Sequence, residues 1–350
     1  MMKRDPKIDI IKGAAICLMV LGHCRCPVSH FIYIFHMAVF FMASGFVYKA
    51  SYSESFHGLK QLFWKRVKSL WIPCFMFKTF FLLLWNVGVK LHIYDVNYLL
   101  TPVQMLHGVV KNVFMLGWVP MCGAFWFLTS LFYITLIYAV VDFIFNKLNI
   151  RHKRFFHLAL SFIICCSIFL MKKNGIGSDI SILNFIMGPY IVYALGVELT
   201  HWRIESLSKI QVFCLFLVCF MSLLVCNDGG GIGLDKAEFT SPHFFVVASL
   251  SGWFFMLAIA HWLQYLEIVK KILVYLGQNT MCIVGLHFLA FRFVSLFQIW
   301  IYDWPVEKLS SSRVLETSSG WWIVYFCTSI GFCLLFNLIY KLLKRKFQKC

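Results

Sequence analysis

Long apolar runs separated by short polar stretches organise this chain. Ten such runs recur, at 8–24, 30–50, 70–90, 124–145, 155–171, 180–199, 208–226, 243–266, 272–300 and 321–342. About 20 apolar residues suffice to cross a bilayer as a helix. The fifth run is short for that task, and the ninth is long enough to tilt or break. The pattern predicts an all-α integral membrane protein, a polytopic bundle of about ten transmembrane helices. No repeat or separate soluble segment interrupts it, so residues 1–350 read as a single membrane domain.

Composition agrees with the pattern. Hydrophobic residues make up 61% of the chain and charged residues 13%, with a mean hydropathy of +0.78. Soluble domains carry about 25% charged residues. The first apolar run contains Lys12 and lacks a clean cleavage site after it, so it is expected to remain as a helix. The 14 cysteines fall mostly within apolar runs, as at Cys165, Cys166, Cys214, Cys219 and Cys282, where cysteine behaves as a small hydrophobe. Neither a CxxC pair nor zinc-ligand spacing occurs, and no metal is expected.

A net charge of +17 raises the question of nucleic acid, and the positions of the basic residues answer it. With the N-terminus placed in the cytoplasm, 21 lysines and arginines fall on that side and 8 on the other, leaving Lys12, Lys78 and Arg292 within spans. Such a bias sets orientation in membrane proteins. Both termini are therefore expected in the cytoplasm, the location is an inner or plasma membrane, and no nucleic-acid partner is needed.

The stretch DIIKGAAICLMVLGHC, residues 9–24, sets Asp9, Lys12 and His23 in an otherwise apolar helix. Positions eleven apart differ by about 20° from three full turns and stand about 16 Å apart. Lys12 and His23 thus share one face, with Asp9 close to it. Polar groups inside spans generally face a bundle interior and mark functional pathways. Asp9 and Lys12 are spaced to pair, while snorkelling at the interface is the plainer reading of Lys12.

His36, in the second run, and His287, in the ninth, fall at depths similar to that of His23. Imidazole serves as a general base near neutral pH or as a transient acyl carrier. No GxSxG or HExxH sequence occurs. Before the third run, FWKRVKSLWIPC clusters Lys65, Arg66 and Lys68, a group able to hold phosphates or anionic lipid headgroups. The NDGGGIG stretch between the seventh and eighth runs reads as a flexible linker.

These residues resemble the membrane acyltransferase-3 superfamily, particularly its fucose 4-O-acetylase-like branch. The resemblance rests on Asp9, Lys12-Gly13 and His23; on YIFHMAVFFMASGFVY with its Phe35-His36-Met37; and on KRVKSLWIP ending at Pro73. FWFLTSLF, GPYIVYALGVEL and YLGQNTMCIVGLH are similar to later family patterns. Lys12 stands where many members have arginine, Ala38 replaces a common proline, and Cys74 stands where tyrosine often follows the proline.

The resemblance implies transfer of an acyl group, usually acetyl, from cytoplasmic acyl-CoA to a sugar hydroxyl of an envelope glycan, an exopolysaccharide or a lipid-linked precursor. His23 is then the expected catalytic residue, assisted by Lys12 and Asp9, with His36 and His287 supporting it. Arg66, Lys68 and Lys65 are expected to bind the CoA phosphates. The expected partners are acetyl-CoA or another acyl-CoA, the glycan acceptor and membrane lipid. The rival reading is a transporter or flippase for a glycan or lipid-linked sugar; a catalytically dead scaffold is a third. The loops at 91–123 and 300–322 are candidate acceptor contacts.

Overall fold

The computed structural model describes residues 5–176, 181–202 and 204–347. Of the basic residues behind the charge bias, Lys3, Arg4, Arg203 and Lys349 lie outside them. In chain order the helices are α1 (Pro6–His23), α2 (Ser29–Tyr33), α3 (His36–Phe46), α4 (Phe56–Arg66), α5 (Ile72–Leu83), α6 (Trp85–Lys90), α7 (Pro102–Val113) and α8 (Trp126–Lys147). There follow α9 (Lys153–Lys173), α10 (Ser181–Glu198), α11 (Lys209–Asp228), α12 (Pro242–Leu263), α13 (Glu267–Gln278), α14 (Thr280–Ile301), α15 (Lys308–Ser311) and α16 (Trp321–Phe347). A short antiparallel hairpin, β1 (Ile232–Gly233) with β2 (Glu238–Phe239), is inserted between α11 and α12.

Among the described residues, seven helical segments are long and apolar enough to cross a membrane: Ser29–Phe46, Pro120–Lys147, Lys153–Lys173, Lys209–Asp228, Pro242–Leu263, Thr280–Ile301 and Trp321–Leu342. The protein is an all-α, multi-pass membrane protein. The three other expected runs are helical too. The first, α1, carries Lys7, Asp9 and Lys12; the third is divided into α5 and α6; and α10 is a shorter apolar helix. The ninth run breaks at Asn279 into α13 and α14. The Asn279 side-chain oxygen accepts hydrogen bonds from Asn337 (2.8 Å) and Lys341 (2.9 Å) on α16, which fixes the break.

Local chemistry starts the helices where it should. Thr101 with Gln104 and Ser208 with Gln211 form reciprocal capping boxes at α7 and α11. Ser241 caps α12 ahead of Pro242, whose missing N–H is no loss in a first turn. Between α4 and α5, Val67–Trp71 forms a π-helical turn in which Ile72 N–H reaches back to Val67 O. Pro73 follows immediately and has no N–H to continue the α-helical ladder. Turns of this kind are frequent at functional sites.

The chain forms two compact units. The first comprises Met1–Ala15, His30–Ile72 and Trp126–Gln278. Here α10 packs on α3 and α9, and α11 packs on α12. Small residues permit the closest approaches: a Cβ on Gly45 of α3 would strike the Tyr193 carbonyl, and one on Gly196 of α10 would strike the Met42 backbone. Gly13 and Gly277 play the same part between α1 and α13, against Leu273 and Asp9. In lipid, where apolar side chains gain little by leaving their solvent, such backbone proximity is a main source of helix association.

The second unit comprises Ile16–Ser29, Pro73–Phe125 and Asn279–Cys350. In it α14 packs along α16, and the 3₁₀ turn Pro120–Phe125 lies against α14. Lys78 of α5 is buried and donates to the Met115 carbonyl at 2.6 Å. That bond satisfies an otherwise costly cation within the apolar segment.

Candidate functional site

Two histidines meet in the second unit. His287, on α14, is 0% exposed, and its Nδ1 lies 2.9 Å from the Ile283 carbonyl and 3.1 Å from the Val284 carbonyl. Carbonyl oxygens only accept, so Nδ1 carries the proton and Nε2 presents its lone pair. That Nε2 is buried and has no hydrogen-bond partner. The His287 ring stacks on His23, at the C-terminal end of α1, with centroids 5.4 Å apart and an interplanar angle of 24°. His23 is half-buried, so the pair has one closed member and one accessible member.

Phe288 joins both rings, at 4.0 Å from His287 and 5.0 Å from His23. Its own face carries the Arg313 guanidinium at 4.6 Å. Gly123 leaves room for that arrangement, because a Cβ there would stand 2.7 Å from an Arg313 terminal nitrogen. The segment bearing Arg313 is tied down on both sides. Arg292 donates to the carbonyls of Leu309 and Ser312, and Gln298 exchanges hydrogen bonds with the Glu316 backbone. Leu315 N–H donates to Tyr325 OH at 3.1 Å. The Glu316 carboxyl is held below its ordinary range by the backbone N–H groups of Ser318 and Thr317. Residues 300–322 are thus a built loop that brings a cation to the histidine pair.

Such a constellation can accept a proton at an imidazole and present positive charge beside it. Those are the requirements of acyl transfer to a hydroxyl. A family model described as an acyltransferase domain matches residues 5–340. The chain belongs to the acyltransferase-3 superfamily. It is a membrane acyltransferase. No curated protein and no solved structure matches the chain.

The other sequence-predicted residues of this acyltransferase lie in the first unit. Asp9 is 3% exposed and accepts a hydrogen bond from Gln278 Nε2 at 3.2 Å, while Lys12 is half-buried one turn later. His36 opens α3, fully enclosed; its Nδ1 donates to the Ile32 carbonyl at 2.8 Å, and Tyr33 meets its ring edge-on at 5.3 Å. Of the three histidines expected together, the second unit therefore assembles His23 and His287, and His36 belongs to the first.

The basic cluster is differentiated. Lys65 donates to Tyr52 OH at 2.9 Å, and Lys68 is exposed. Arg66 is half-buried beside Tyr193, with its Nε enclosed and without a hydrogen-bond partner. Among the described residues, no group of three His, Cys, Asp or Glu side chains is arranged to hold a metal.

Two polar groupings escape the sequence reading. Arg313 looks like one more loop cation, and nothing local connects it to His287. The second grouping centres on Asp142, buried in α8, which pairs with Lys153 (3.2 Å) and His157 (3.3 Å) and accepts from Ser53. His157 is sandwiched by Tyr138 at 4.4 Å and Phe145 at 4.8 Å. A lone carboxylate in an apolar run, with a histidine fifteen residues on, is the signal that points to it.

Proposed function

We propose that this acyltransferase moves an acetyl group from cytoplasmic acyl-CoA to a sugar hydroxyl of an envelope glycan, an exopolysaccharide or its lipid-linked precursor. His23 removes the proton from the attacking hydroxyl. The hydroxyl oxygen bonds to the thioester carbonyl carbon, the carbon–sulfur bond breaks, and the CoA sulfur leaves with a proton. Products are the sugar ester and free CoA. His287, with its Nδ1–H committed to backbone carbonyls, holds the His23 ring in its stacked position and offers Nε2 as a second acceptor. Arg313 supplies positive charge where the tetrahedral intermediate becomes negative.

The observation that carries this reading is the stack of half-buried His23 on fully buried His287, whose Nε2 has no hydrogen-bond partner. A buried polar atom without a partner costs roughly 1–3 kcal/mol, and this one belongs to a ring stacked on the accessible His23. The donor reading rests on Arg66: its enclosed Nε and neighbouring Lys65 and Lys68 suit CoA phosphates, and the orientation expected from the charge bias assigns them to the CoA side. Lys12 and Asp9 orient charge along α1, and His36 supports the acceptor side.

Purified protein in nanodiscs, incubated with radiolabelled acetyl-CoA and candidate glycans, tests the reaction. Label should pass to the sugar without any gradient, and His23→Ala should abolish transfer at normal expression. Sugar movement across the membrane without esterification would instead support a transporter. Arg66→Ala should raise the Kd for acetyl-CoA; unchanged affinity removes Arg66 from the donor site.

A further inference from the structure

The glycine-rich stretch after α11 is a folded element, and it lines one side of an open cavity. β1 and β2 pair Ile232 with Phe239 and Gly233 with Glu238. Phe239 stacks on Phe245 at 5.0 Å and on Phe169 at 5.9 Å, pinning the hairpin to α12 and α9. Thr240 Oγ1 donates to the Gly229 carbonyl at 3.3 Å, and Gly188 of α10 leaves space for Ala237. The reading of this stretch as a flexible linker is therefore corrected. Aromatic anchoring, which the glycines mask in the sequence, orders it.

Between the hairpin and α2 lies an open cavity of about 460 Å³, within the range of small-ligand sites. His30, Tyr33, Gly231, Gly233, Glu238 and Phe239 line it. His30 Nδ1 faces Asn227 Oδ1 at 2.9 Å and is its donor, which leaves Nε2 as an acceptor. Glu238 is exposed and supplies two carboxylate oxygens, also acceptors. Tyr33 offers a partly exposed ring and a hydroxyl, and its ring edge also meets His36. Gly231, just ahead of β1, is exposed, and Gly233 within it is partly so.

We infer that this cavity is a saccharide subsite, taking a neutral or amino sugar of the acceptor and refusing acidic ones. A sugar presents adjacent hydroxyl donors to paired acceptors and an apolar C–H face to an aromatic ring, which are the groups found here. Glu238 is the one charged residue of the lining and repels a carboxylate or phosphate. The inference rests on the acyl-transfer reading for the word acceptor; the binding itself stands apart from it.

The test uses the full chain in nanodiscs and saturation-transfer NMR with methyl glycosides of a neutral hexose, a 6-deoxyhexose, an N-acetylhexosamine, a hexosamine and a uronic acid, and with their disaccharides. Neutral or amino sugars should receive saturation and the uronic acid should not. Tyr33→Ala and Glu238→Gln should each weaken binding about tenfold, one contact's worth, and Tyr33→Phe should retain it. Gly231→Phe is the variant expected to keep the fold, because a Cβ there meets nothing within 4 Å, and its ring should obstruct the cavity that Gly231 lines. Acetyl-CoA binding should be unchanged in all four. Failure of every sugar to receive saturation, binding of the uronic acid as tight as the neutral sugars, or undiminished binding in Gly231→Phe overturns the inference. Sugar binding lost in Gly231→Phe, in a protein that transfers no acetyl group, would sink the proposed reaction and leave this site standing.

Discussion

Two buried histidines, His287 and His157, look alike in the sequence and live in different chemical surroundings. In the second unit, His287 stacks on an accessible histidine, keeps an unpartnered Nε2 and sits beside Phe288 and its arginine. In the first unit, His157 directs Nε2 to Asp142, which Lys153 and Ser53 also engage, and aromatic rings cover the imidazole. The first arrangement leaves a route to the imidazole pair through half-buried His23. The second ties α8 to α9, and its half-buried member is a cation, Lys153, in place of a second imidazole. Burial of a histidine in a membrane protein is therefore no guide to its role, and neither is an unpartnered ring nitrogen, since the buried Nδ1 of His157 also lacks a hydrogen-bond partner; the chemistry of its neighbours is the guide.

The largest expected effect separates the two directly. His23→Ala should lower kcat by about 10²–10⁴-fold, the range for a lost general base, while His157→Ala should leave turnover per folded molecule within about threefold. Steady-state transfer measured on monodisperse protein checks both, and equal losses would dissolve the distinction. The next effect is on stability. Asp142→Asn leaves Lys153 and His157 without their carboxylate and should cost about 3–5 kcal/mol, as for a broken buried pair, read as earlier unfolding in detergent. Loss of turnover at unchanged unfolding would move Asp142 into the chemistry.

A smaller change probes the loop that brings Arg313 to the pair. Arg292→Gln removes the donors to Leu309 and Ser312 and should reduce kcat/KM about tenfold through misplacement of the cation, with stability nearly retained. If Arg313 were idle, kcat/KM would not change. The smallest effect is expected at Lys12→Arg. An arginine keeps the charge and adds bidentate geometry, so transfer should stay within about twofold, whereas Lys12→Ala should fall well below it. A large loss in the arginine variant would mean that the site is fitted to an ammonium.

Much of this was legible along the chain. Ten apolar runs all become helix, the ninth breaks as its length suggested, and the family motifs carried by Asp9, Lys12 and His23 accord with the matched family. Those signals are local: hydropathy, length and spacing within one helix. Arg313 and Asp142 were missed because their meaning comes from residues far away in sequence. The hairpin was missed because four glycines read as freedom when Phe239, anchored on two other rings, removes it.

Apolarity at membrane length left the backbone no choice but internal hydrogen bonding, so the sequence by itself determined a helical, membrane-embedded chain; its family was carried by motif resemblance, which the matched acyltransferase model bears out. It also determined which helices carry imidazoles. Tertiary structure decided that His23 meets His287, that Arg313 reaches Phe288, and that the glycine-rich stretch lines an open cavity. Each of these is a contact between segments distant in the chain, set by close helix approach and ring packing that no periodicity within a single segment encodes.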